Sequence, residues 1–133
     1  MWEIKDGTKL IARGGQVSEF PEGKHFLSQP IDRMQYAVYY LNGGELDRHT
    51  HKPRNRQGKY PTHEFFVVLS GRLEVLFYTD ERVEFAERKQ LTSGDFFCQH
   101  GGGHGFKVIE PETVFIEVKH GPFTTSEDDK ERF

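Results

Sequence analysis

Short extended segments recur along this chain between turn residues, and no stretch carries a long helical period. Eight candidate strands follow one another: Gln35 to Leu41, Glu45 to His51, Glu64 to Ser70, Arg72 to Tyr78, Val83 to Ala86, Asp95 to Cys98, His104 to Ile109 and Thr113 to Lys119. Asn42-Gly43-Gly44, Ser70-Gly71, Thr79-Asp80-Glu81, Ser93-Gly94, Gly101 to Gly103 and Glu110-Pro111-Glu112 supply the turns. Leu, Ile, Val and Phe total 34 of the 133 residues while Ala occurs three times, a bias towards strands over helices. Eight strands fit one sandwich or barrel, and this length fits one domain with one core. The expectation is an all-β single domain over residues 1–133: an N-terminal arm at 1–33, a barrel at 34–123 and a charged tail at 124–133. Within the arm, Trp2 to Ile4 and Lys9 to Ala12 are short extended candidates.

The formal net charge is -3, so there is no global positive field for a phosphate backbone or an anionic bilayer, and neither nucleic acid nor membrane is an expected partner. The apolar run from Phe65 to Leu69 is far shorter than a spanning helix needs, and Met1 to Leu10 lacks the apolar segment of a signal peptide. A cytoplasmic location is expected. Cys98, the single cysteine, rules out an intramolecular disulfide, and in Phe96-Phe97-Cys98 it reads as a small buried hydrophobe.

Seven histidines carry the chemistry of this sequence. His49 and His51 are one residue apart on a candidate strand, so both imidazoles project from one face, a chelating arrangement. Glu64 opens a strand whose same-face neighbours are Phe66 and Val68, and an unpaired carboxylate buried on such a face costs several kcal/mol. It should therefore sit at a mouth, take up a proton or meet a cation. His104 shares its face with Phe106 and Val108 in the same way. Three imidazoles and one carboxylate suit Zn, Fe, Ni or Mn better than Mg or Ca. His63, beside Glu64, is the alternative to it as a ligand. Other chemistries have less support: three residues beyond Glu64 a zinc-protease helix would need histidine, and Val67 stands there. Gly101 to Gly103 lacks the lysine and hydroxyl residue of a phosphate loop.

Two motifs are built from these residues. Gly43, His49, His51, Glu64 and Gly71 resemble the first cupin motif, and Gly94-Asp95-Phe96-Phe97-Cys98-Gln99 followed by His100-Gly101-Gly102-Gly103-His104 resembles the second. The resemblance covers about Gln35 to Lys119 and implies a double-stranded β-helix of jelly-roll type. It also implies one divalent transition metal held inside the barrel by His49, His51, Glu64 and His104, and a homodimer. Two features depart from the pattern: twelve residues separate His51 from Glu64, and His100 stands where proline is usual.

The close of the chain, Ile116-Glu117-Val118-Lys119-His120-Gly121-Pro122-Phe123, is similar to that of small stand-alone cupins related to type II mannose-6-phosphate isomerases and to sugar-nucleotide and polysaccharide enzymes. That likeness implies a sugar phosphate or nucleotide sugar as ligand, with an isomerase-like role. The loop after His51 holds Lys52, Arg54, Arg56 and Lys59 without an acidic residue, and it would neutralise such a ligand's phosphate. Tyr40, His63 and Phe106 are expected beside the basic residues as pocket lining. His100, at the rim, is the candidate for proton transfer because imidazole changes charge near neutrality. An iron-dependent dioxygenase and a non-catalytic sugar-binding or regulatory cupin are the competing readings.

Overall fold

The computed structural model describes residues 1–29, 32–51, 63–79, 84–120 and 130–132, with the backbone alone described at 48–51 and 130–132. β1 (Trp2–Asp6) and β2 (Lys9–Gly14) form an antiparallel hairpin, followed by a 3-10 turn at Val17–Glu19. Ten more strands complete the fold: β3 (Gly23–Phe26), β4 (Met34–Leu41), β5 (Glu45–His51), β6 (Glu64–Ser70), β7 (Arg72–Tyr78), β8 (Phe85–Thr92), β9 (Phe96–Gln99), β10 (Gly103–Val108), β11 (Thr113–His120) and β12 (Lys130–Arg132). They pair antiparallel into two five-stranded sheets, ordered β12-β5-β10-β7-β8 and β3-β4-β11-β6-β9. The result is the jelly-roll sandwich expected from the strand rhythm.

A period of two builds the core. Along β6, Glu64, Phe66 and Val68 are buried while Phe65 and Leu69 are exposed. Ala37, Tyr39, Phe66, Val68, Leu73, Val75, Phe106, Val108 and Phe115 interlock between the sheets. Aromatic rings fill much of the space: Phe66 stacks on Phe97 at 4.7 Å, Tyr39 stacks on Phe115 at 4.4 Å, and Phe106 lies 5.3 Å from Phe66. Two turns require glycine. Gly71 has φ of 76° and Gly102 of 71°, and a Cβ at either would collide, with Thr113 and with the Tyr78 carbonyl respectively.

The two extended candidates of the arm pair as a hairpin whose Gly14, with Met1 and nearby Val17, closes over Tyr36, Val38 and Ile116 on the outer face of the second sheet. Three features differ from the sequence reading. β3 pairs with β4 and so belongs to that sheet, which begins before residue 34. β12 pairs with β5, so part of the charged C-terminal segment is an edge strand. β8 runs on to Thr92, well beyond Ala86, as a polar edge whose Glu87, Arg88 and Lys89 discourage pairing with a further strand. The first residue of the strand expected at Val83 lies outside the described residues.

The packing sets a contrast between two phenylalanines. Replacing fully buried Phe66 with Ala should cost about 3–5 kcal/mol in urea unfolding. Phe96→Ala, at a side chain 67% exposed, should stay within about 0.5 kcal/mol. Equal losses at the two sites would contradict this assignment of faces.

Candidate metal centre at the barrel mouth

At one end of the barrel the apolar lining gives way to polar side chains that remain buried. Glu64 is 2% exposed and His104 1%, and Glu64 Oε2 lies 3.5 Å from His104 Nε2. The floor beneath them is aromatic, with Phe106 4.7 Å and Phe66 5.5 Å from the His104 ring. This places Glu64, not His63, on the inward face beside His104. His63 follows the alternation to the outside, where its ring packs against those of His100 and His120.

Gln99 orients the imidazole. Its Nε2 donates to the Gly101 carbonyl at 3.0 Å, which turns Oε1 towards His104 Nδ1 at 2.5 Å. An amide oxygen can only accept, so Nδ1 carries the proton and Nε2 presents its lone pair towards Glu64. Two acceptors 3.5 Å apart repel, and a cation between them would turn that repulsion into attraction. A proton would make an imidazolium–glutamate pair, and a metal ion would be held by both atoms. An imidazole whose second nitrogen is held by an outer hydrogen bond is the arrangement that metal-ligating histidines adopt.

The backbone supplies the remaining positions. His49 is the register partner of His104, and positions directly opposite each other lie on one face of a sheet. Between this pair and Phe106↔Leu46 the strands fall out of step, three residues of β5 against two of β10. The extra residue resets the alternation, so position 49 shares a face with Leu46, which packs on the core. Position 51, two residues on, has the parity of 49. The side chains of His49 and His51 lie outside the described residues, and among the described residues no three His, Cys, Asp or Glu side chains converge on one point. The donor set, one carboxylate and one oriented imidazole on the face to which positions 49 and 51 belong, fits a borderline divalent transition metal.

A second buried ion cluster adjoins this pair. Lys119 Nζ lies 3.2 Å from Glu117 Oε1 and 3.9 Å from Glu64 Oε1, and Lys24 Nζ reaches Glu117 at 3.8 Å. Tyr39 donates its hydroxyl to Glu117 Oε2 at 3.0 Å. The shorter contact ties Lys119 chiefly to Glu117. Sequence reading missed Gln99, Glu117 and Lys119, although each alternates with an inward aromatic: Gln99 with Phe97, and the other two with Phe115.

Other expected site residues fall elsewhere. Phe106 is inside, as part of the core. Tyr40 is half-buried on the opposite face of β4, and Tyr39 takes the inward position. Val38 is also buried, beneath the N-terminal hairpin, so β4 is covered on both faces and its alternation cannot be read from hydrophobicity. His100 is exposed and meets His63 edge-on at 5.0 Å. Cys98 is exposed, because Phe97 and Gln99 take the inward positions of β9. Arg54, Arg56 and Lys59 lie outside the described residues.

The architecture is that of the cupin double-stranded β-helix. A cupin-2 domain protein from Shewanella frigidimarina superposes with a TM-score of 0.55 at 17% identity, over 78% of this chain and 87% of the other. The cupin domain of Schizosaccharomyces pombe Cnp3 gives 0.61 at 17%, over 90% and 74%. An oxalate decarboxylase variant from B. subtilis gives 0.61 at 18%, over 86% of this chain and 29% of that longer one. No protein-family model matches the sequence, and no curated protein matches it. Among the described residues no helix is long and apolar enough to cross a membrane.

The buried ions make a direct prediction. Lys119→Met in metal-free protein leaves Glu64 and Glu117 buried with one cation fewer, and should cost about 3–5 kcal/mol in denaturant unfolding. A loss below about 1 kcal/mol would show that Lys119 does not balance them.

Proposed function

We propose that this chain is a metal-binding cupin in which His49, His51, Glu64 and His104 hold one divalent transition metal, Zn, Fe, Ni or Mn. The observation that carries this reading is the buried acceptor pair Glu64 Oε2 and His104 Nε2, 3.5 Å apart, with His104 oriented through Nδ1 by Gln99. A bound ion of this class supplies Lewis acidity towards a carbonyl or hydroxyl oxygen. The chain's own contributions are a fixed imidazole, a buried aromatic floor of Phe66 and Phe106, and a buried ammonium, Lys119, that adds positive charge behind Glu64.

The ligand we assign is carbohydrate-related and anionic, a sugar phosphate or nucleotide sugar, with an isomerase-like role. Support comes from the composition of the 52–62 segment, where Lys52, Arg54, Arg56 and Lys59 are unopposed by any acidic residue. It comes also from the likeness of the 116–123 segment to sugar-nucleotide cupins. Arg54→Gln/Arg56→Gln should then weaken phosphorylated ligands far more than neutral sugars. The exposed outer face bearing Phe65, Leu69 and Phe96 offers an apolar surface for the homodimer, and the chain is assigned to the cytoplasm.

Elemental analysis of untagged protein purified without chelator tests the metal reading. About one transition metal per chain is expected, falling below a tenth of that in His49→Ala/His104→Ala. Gln99→Ala should lower metal affinity about 10–100-fold while leaving the ligands in place. Parent protein that stays metal-free after incubation with Zn, Fe, Ni and Mn would leave the imidazolium–glutamate pair as the correct description and overturn the proposal.

A further inference from the structure

The same three strand ends that build the inner site carry a second row of donors on the outside. In the register of the second sheet, Lys119 pairs with Glu64 and Glu64 with Gln99. These three are buried, at 2%, 2% and 7% exposure. The neighbouring residues His120, His63 and His100 therefore alternate to the outer side, side by side across β11, β6 and β9. His63 is half-buried in the middle, and the two flanking histidines are exposed. The His63 and His100 rings are 5.0 Å apart and nearly perpendicular, while His63 and His120 are 5.9 Å apart and close to parallel.

We infer that His63 and His100 form a second, open site for a borderline divalent transition metal such as Zn2+, Ni2+ or Cu2+, with His120 flanking it. Two imidazoles on one tetrahedral ion, each with its nitrogen ~2.1 Å away, hold their ring centres about 5 Å apart, the spacing of His63 and His100. Neighbouring strands bring the two backbones within about 5 Å, so little chain rearrangement is needed and the chelate is largely pre-organised. The described side chains form no closed three-ligand group, so water fills the remaining positions and the ion stays exchangeable. Neutral imidazole prefers these ions to Mg2+ or Ca2+. The site is separate from the inner one, because Glu64 and Gln99 point into the barrel while His63 and His100 lie on its outside.

Calorimetric titration with Zn2+ tests the assignment. His49→Ala/His104→Ala, which removes inner ligands, should retain one Zn2+-binding event, and adding His100→Ala should weaken that event at least tenfold. His120→Ala in the same background should weaken it several-fold. A residual event indifferent to His100→Ala, or no event at all, would overturn the site. A second measurement uses the unaltered chain and so does not depend on the variants folding. With the tighter inner site first filled by one equivalent of diamagnetic Zn2+, substoichiometric Cu2+ should broaden the ring proton signals of His63 and His100 before that of His25, which lies outside the row with its Nε2 2.8 Å from the Pro21 carbonyl. Broadening of His25 first would contradict the proposal. Absence of a tight inner event from the unaltered chain, with the outer one present, would count against the inner site alone.

Discussion

Two carboxylates buried at the mouth of an aromatic barrel set the terms for everything around them. Glu64 and Glu117 are almost fully enclosed, and at that burial the loss of hydration costs several kcal/mol per charge unless cations and donors replace the water. The chain meets this with Lys119 between the two, Lys24 at the edge, the Tyr39 hydroxyl on Glu117 and the ring of His104 against Glu64. Each comes from a different strand or a different position, so the ion cluster exists only when β3, β4, β6, β10 and β11 are assembled. Electrostatics and fold are consequently coupled at this end, whereas at the opposite end the buried Thr113 hydroxyl bonds the backbone of Arg72 and Glu110 without a buried charge.

The placement of positions 49 and 51 depends on a single irregularity. Strand alternation is strict, so an uninterrupted β5 with Leu46 against the core would carry residues 48 and 50 inward. The extra residue between Leu46 and His49 reverses that parity and puts His49 opposite His104. A bulge beside a functional face is where such irregularities concentrate, because it re-aims side chains without altering the strands beyond it. Gly103 and Gly105, on either side of His104 in β10, are both buried between β5 and β7.

Strands that bury one face and expose the other were legible in the sequence. β5, β6 and β7 have the bounds read from turn residues and alternation, and Glu64 and His104 lie on the apolar faces that their neighbours Phe66, Val68, Phe106 and Val108 indicate. Segments outside that pattern were not. β3 and β12 are four and three residues long, with too few positions to show a period, and β8 is polar on both faces. β4 is apolar on both, which is why Tyr40 was read as lining in place of Tyr39. Gln99, Glu117 and Lys119 were hidden for a chemical reason. Polar residues in strands ordinarily mark the solvent side, and these three point inward only because they satisfy one another and His104.

The rim carries two chemistries from one register. At the ends of β11, β6 and β9, Lys119, Glu64 and Gln99 face the interior while His120, His63 and His100 face outward, each pair being consecutive in the chain. A slip of one residue in any of these strands would exchange the rows, sending an ammonium, a carboxylate or an amide to solvent and an imidazole inside. The penalty is unequal. An exposed lysine or glutamate loses nothing by hydration, but the partner left behind in the barrel keeps its charge without its counter-ion. The inner ion cluster therefore fixes the register, and the outer histidine row follows from it at no added cost in stability. That asymmetry explains how the fold presents a row of imidazoles at the rim: their backbone positions are set by the buried residue next door.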